Sequence, residues 1–158
     1  MNQDVQAALR PELTTDEDVR LFVYDDATGL PIRPGTVVKG NPSIGCGRNL
    51  SARGIRHAES EMLLSNDMTE LETDLAPLLP WLPTLSANRQ AAVYSLYFNT
   101  SLGNPHRFVG PNGWPHLLEQ LQTGEFAAAA DNLEHSQPWA SEAGSQRVTR
   151  LTTFIRNG

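Results

Sequence analysis

"DEDVRLFVYDDATG", residues 16–29, is the stretch on which the reading of the chain turns. The run from Val19 to Tyr24 alternates loosely and is rich in Val, Phe and Tyr, which predicts a short strand. Glu17 stands ahead of that strand, and the doubled aspartate Asp25–Asp26 and a turn at Gly29 close it. Two carboxylates held a fixed distance apart can divide acid and base work at a sugar linkage. A plainer pattern competes for the same residues: Thr14-x-x-Glu17 fits a capping box, which would make this the start of a helix.

Upstream, "VQAALRPEL" can begin a short helix whose regularity Pro11 limits. Downstream, "ATGLPIRPGTVVKGNPSIGCG" sets Gly and Pro at short intervals around β-branched clusters, the pattern of a small antiparallel meander with turns near Gly29, Gly35 and Gly40. From Ile55 the period changes. Ile55, Ala58, Met62, Leu63, Met68, Leu71 and Leu75 fall near helical spacing, and the helix should stop before Pro77 or Pro80. Four more stretches read as helices: "SANRQAAVYSLYFNTSLG", "WPHLLEQLQTG", "EFAAAADNLEH" and "SEAGSQRVTRLTTFIR".

The expected architecture is therefore α+β. A small β-hairpin or meander lobe, about residues 17–54, joins a larger helical lobe at 81–158 through a connecting helix at 55–80. The N-terminal segment is expected to pack on the helical lobe, and a cleft between lobes is the default binding site. At 158 residues the whole chain suits a single domain.

Composition narrows the partners. A formal charge of −6 argues against electrostatic capture of nucleic acid. The single cysteine, Cys46, rules out an internal disulfide and cannot bind a metal alone, and the four histidines show no ligand spacing. No signal-peptide pattern opens the chain and no apolar run is long enough to span a bilayer, so synthesis in the cytoplasm without membrane insertion is expected.

In this order the motifs resemble the phage T4-type lysozymes, glycoside hydrolase family 24. That family carries a glutamate-glycine pair, a strand ending in Tyr-x-Asp, a glycine turn, then Thr-Ile-Gly-x-Gly-His. The corresponding residues are Glu17 with Asp18, then "YDDATG", then "SIGCGRNL" at 43–50. A prophage endolysin branch, with a longer hairpin and Gly-Arg-Asn-Leu in place of the histidine, is similar still more closely. "GIRHAESEMLLSNDM", "NRQAAVYSLYFNTSLG" and "QRVTRLTTF" resemble the connecting, buried and C-terminal helices.

The resemblance implies a lysozyme-like fold and a muramidase that cleaves the bond between N-acetylmuramic acid and N-acetylglucosamine. It implies Glu17 as general acid, Asp26 as the carboxylate that activates water, and Ser43, in place of the family threonine, as the hydroxyl that holds that water. It further implies inversion, unlike the retaining lysozyme taken as the type case. Asp25 competes with Asp26, but the Tyr-x-Asp spacing selects Asp26 and leaves Asp25 to turn chemistry. Arg48 replaces the family histidine and is expected to pair with Asp67 on the connecting helix. Phe98 and Asn99 are candidate substrate contacts, with core packing and a helix-end cap as the respective alternatives. Arg147 or Arg150 is expected to pair with Glu17. Trp139 reads as packing.

Three functions compete on these residues: a phage lysozyme that releases progeny by host lysis, a lytic transglycosylase, and a wall-binding or virion protein of the same fold without turnover. Asp26 and Ser43 favour hydrolysis, since both have work only if water attacks. The resemblance implies a peptidoglycan substrate, no metal or organic cofactor, a monomer, and dependence on a separate holin-type permeabilising protein to reach the wall.

Overall fold

The computed structural model describes residues 3–15, 19–137 and 139–158. Glu17, the expected acid and the expected partner of Arg147 or Arg150, lies outside the described residues. The chain divides into two compact units, residues 1–62 and 63–158, and the division falls inside a helix.

The first unit begins with α1, Gln3–Thr15, which runs through Pro11. Its last turn uses the Thr14 hydroxyl, which donates to the carbonyls of Arg10 at 2.9 Å and Pro11 at 3.3 Å. Thr14 therefore ends a helix instead of starting one, and the capping-box alternative loses its basis. Next comes β1, Arg20–Asp25, the expected strand, paired antiparallel with β2, Pro42–Gly45. A two-residue β3, Arg48–Asn49, pairs with β2 to give the order β1-β2-β3. The Asn49 side chain then caps a four-residue helix α2, Leu50–Arg53, by accepting from the Ala52 amide at 2.8 Å. Among the described residues of this unit, few side chains are buried. Tyr24, Asp25 and Ser43 are the described ones, and two of the three are polar.

The helix α3, His57–Leu75, crosses from one unit into the other and stops ahead of Pro77, where the sequence expected it to. The second unit is helical. A single 3-10 turn at Leu82–Thr84 leads to α4, Ala87–Thr100, whose N-terminus Ser86 caps. Then follow α5, Pro105–Val109, α6, Pro115–Thr123, and α7, Phe126–His135. The last two are α8, Trp139–Ala143, and α9, Ser145–Asn157. Leucines from α3, α4, α6, α7 and α9 meet around Tyr97 and Phe108, whose rings sit 5.1 Å apart, and this is the buried apolar core.

Two details differ from the sequence reading. The stretch read as one C-terminal helix is split at Gly144, whose φ of +80° is incompatible with a continuing right-handed helix. The short α5 was not singled out, because five residues are too few to show a period; its signals are an Asn104 cap and Pro105 at the first position.

Candidate functional site

The site residues of the first unit are set by the β1–β2 hairpin. Tyr24 pairs with Ser43 and Asp25 with Pro42, so the next rung brings Asp26 opposite Asn41. That rung is formed. The Asp26 amide donates to the Asn41 carbonyl at 3.1 Å, and the Asn41 amide donates at 2.6 Å to the Asp26 side chain, Oδ1. The Asn41 side-chain nitrogen donates to the other carboxylate oxygen at 3.1 Å. Asp26 thus stands just past the end of β1, two residues beyond the Tyr24–Ser43 rung.

The two aspartates part company in their surroundings. Asp25 is 2 % exposed, and backbone N–H groups enclose its carboxylate: Lys39 at 2.8 Å on Oδ2, Gly40 at 2.9 Å and Ala27 at 3.1 Å on Oδ1. The Lys39 amide leads the Gly40 and Ala27 amides and the Thr28 hydroxyl in holding this carboxyl below the usual carboxylate range, against the opposing effect of burial. Asp25 is the staple of the turn. Asp26 is exposed, gripped only along one edge by Asn41, and open to solvent on the remainder. Ser43, 1 % exposed, sits in the middle strand and not in a turn.

Around this hairpin, Arg20 lies 4.5 Å over the Tyr24 ring and bonds the Gly29 carbonyl. Arg48 takes Glu59 as its acid partner at 2.5 Å, where the sequence reading expected Asp67, and its Nε donates to the Gly54 carbonyl at 2.8 Å. Glu59 is already fixed at the start of α3, since its second oxygen accepts from the Arg56 amide at 2.6 Å. That amide, ahead of the Arg48 guanidinium, lowers the Glu59 pKa. Arg48 thus secures the sheet to the first turn of α3 within its own unit. Asp67 lies further along the same helix, in the second unit.

In the second unit Phe98 is 40 % exposed, so it is no core residue, unlike its neighbours Leu96 and Tyr97. Asn99 uses both ends of its amide: Nδ2 donates to the Ser95 carbonyl at 2.6 Å, and Oδ1 accepts from Arg147 of α9. Arg147 and Arg150 line one shallow groove with Gly144 and Ser145. Trp139 packs edge-on against Trp114, 5.7 Å between centroids, the packing role expected of it. Tyr97 is held against the Asp74 carboxylate, and burial, ahead of that contact, pushes its phenol far above the ordinary value.

The sequence reading gave Gly40 only a turn and did not single out Asn41 or Glu59. A signal for the first two existed in the antiparallel register, since placing Ser43 against Tyr24 fixes Asn41 against Asp26. Among the described residues no group of His, Cys, Asp and Glu could hold a metal ion, and no helix is long and apolar enough to cross a membrane.

A mixed chain of this make, with a small antiparallel sheet that carries acids ahead of a long helix and a helical unit beyond it, is of the lysozyme-like α+β class. The phage lysozyme family model matches residues 17–153, and the chain belongs to that family. It is accordingly a glycoside hydrolase of the lysozyme kind, with peptidoglycan as its substrate. No curated protein matches the chain.

Proposed function

We propose that the protein is a muramidase that hydrolyses the β-1,4 bond between N-acetylmuramic acid and N-acetylglucosamine with inversion. Glu17 gives a proton to the departing glycosidic oxygen. Water attacks the sugar carbon from the opposite face, and Asp26 takes the proton that water sheds. The Ser43 hydroxyl orients that water. The observation that supports this division of labour is the contrast between the two acids: Asp26, two residues beyond the Tyr24–Ser43 rung, is open to solvent, while Asp25 is buried and engaged by backbone donors. In the same reading the enzyme acts as a monomer. It is made in the cytoplasm of a host and reaches the wall, for lysis by a phage, through a separate holin-type protein.

Digestion of purified sacculi tests the chemistry. Mass analysis should find reducing sugar ends; anhydro ends would make the protein a transglycosylase, and no release would make it a wall-binding protein. Glu17→Gln and Asp26→Asn should each cost at least about a hundred- to ten-thousandfold in rate, the usual worth of acid–base catalysis. Wild-type clearing of permeabilised cells by either variant would sink its assigned role.

A further inference from the structure

Asp26 is the one acid of the hairpin whose side chain completes a strand rung. In an ordinary antiparallel pair the Asn41 amide would donate to a backbone carbonyl across the ladder. Here it donates to Oδ1 of Asp26 at 2.6 Å, and the Asn41 side chain closes on Oδ2 at 3.1 Å, so one residue holds both oxygens. The Asp26 amide, in return, donates to the Asn41 carbonyl at 3.1 Å. Two of these three hydrogen bonds reach the carboxylate, one on each oxygen, and fix its plane while leaving its outer lone pairs to solvent.

Gly40 completes the seat. A Cβ on Gly40 would overlap Oδ1 of Asp26 and come within 2.7 Å of the Ala27 Cβ and 2.8 Å of the Ala27 nitrogen. Only a residue without a side chain lets the second arm of the hairpin approach closely enough for the Asn41 amide to reach the carboxylate. Meanwhile the Gly40 amide itself binds Asp25 at 2.9 Å, which ties the buried aspartate and the exposed one to a single dipeptide.

We propose that Gly40 and Asn41 are positioning residues for the water-activating carboxylate: they hold Asp26 in one rotamer, with its free edge presented to the attacking water. The inference rests on the reading of Asp26 as that carboxylate. A base that must meet a water in line with a sugar carbon loses rate steeply when it is free to rotate, on the order of a hundredfold for a displacement of about an ångström. Asn41 does not touch the sugar in this account, so its loss should fall on turnover and not on binding.

The test uses the full chain on sacculi, with kcat and apparent KM measured for Asn41→Ala, Asn41→Gln, Gly40→Ala and Asp26→Asn, and melting by circular dichroism for each. Asn41→Ala keeps the backbone donor and removes the side-chain one. Its kcat should fall on the order of ten- to a hundredfold, with KM within about twofold and melting unchanged. Asn41→Gln, whose amide can still reach Oδ2, should recover most of that loss. Gly40→Ala, if folded, should lose more than Asn41→Ala, since the carboxylate itself must move. Wild-type kcat in Asn41→Ala overturns the proposal. A fall in kcat accompanied by lower melting, with no recovery in Asn41→Gln, also overturns it, because that is what a merely structural asparagine would give. Wild-type activity in Asp26→Asn is a different failure, since it removes Asp26 from the mechanism and takes the positioning role with it.

Discussion

The two units are held together by different physics. In the second, some seventeen buried apolar residues from Leu71 to Ile155 form a continuous core, and the polar groups inside it are few. The first buries Tyr24 along with Asp25 and Ser43, while Val19, Leu21 and Phe22 stand more than half exposed. Its hairpin is shaped by hydrogen bonds to carboxylates: three backbone amides on Asp25, one amide and one side chain on Asp26, and Arg48 on Glu59. Apolar burial is a sum of many individually small, non-directional contacts, whereas a carboxylate staple is directional and depends on its charge. The unit with the candidate chemistry is thus the one built from a few charged, directional contacts.

The largest expected effect breaks the helical unit. Leu121 is fully buried at the centre of the core, and Leu121→Ala should cost about 2–5 kcal/mol through lost burial and the cavity left behind. Tryptophan fluorescence reads it cleanly, since Trp81, Trp114 and Trp139 all belong to that unit. A loss under about 1 kcal/mol would mean the core repacks around the gap.

Next comes Asp25→Asn, which should act on the other unit alone. The amide can keep one oxygen, but it must turn its N–H2 group toward a backbone N–H, that of Lys39 or those of Gly40 and Ala27. Hydrogen exchange should show the amides of Ala27, Lys39 and Gly40 losing protection while the fluorescence midpoint stays put. Protection unchanged at Lys39 and Gly40 would refute the staple.

The pH response should divide the units in the same way. Asp25 and Glu59 have pKa values lowered in the folded chain, so their contribution is present above the ordinary carboxylate range and is lost as pH falls through the lowered values. Tyr97 has a raised value, so its contribution is present below about pH 10, its ordinary pKa, and is lost as pH rises from there toward the folded value. Acid should therefore loosen the hairpin first and alkali the helical core first. Amide exchange and tryptophan fluorescence, followed across both ranges, distinguish this from a single transition.

The smallest effect is Ser86→Ala. The Ser86 oxygen accepts from the Arg89 amide at 3.4 Å at the head of α4, and its removal should cost about 0.5–1 kcal/mol by thermal melting, with activity on sacculi untouched.

These contrasts explain what the sequence could and could not convey. Helices α4, α6 and α7 were legible because each buries a face, and burial leaves a period in the residues; α3 showed a similar period although only Leu71 and Leu75 of it are buried, while Met62, Leu63 and Met68 stand exposed. The end of α3 was legible from Pro77 and the strand from its Val, Phe and Tyr. The break at Gly144 was hidden because the residues on both sides keep helical character, and only a backbone angle separates α8 from α9. Asp25 and Asp26 were separable by spacing, yet the grip of Asn41 on Asp26 depends on a rung fifteen residues away along the chain. The Arg48 partner went to Glu59, not to Asp67, because the guanidinium also bonds Gly54 and so stays beside the first turn of α3.

Lys39 and Cys46 are the only lysine and the only cysteine in the sequence, and they flank β2 at its two ends, both exposed. An amine-reactive dye, apart from the amino terminus, has one address, and a thiol-reactive dye has one other. Lys39 lies beside the Asn41 that seats Asp26, and Cys46 lies in the turn between β2 and β3. Two fluorophores placed there without any mutation would form a donor–acceptor pair along β2, and coupling through the lysine would tether the protein to a surface beside the candidate site.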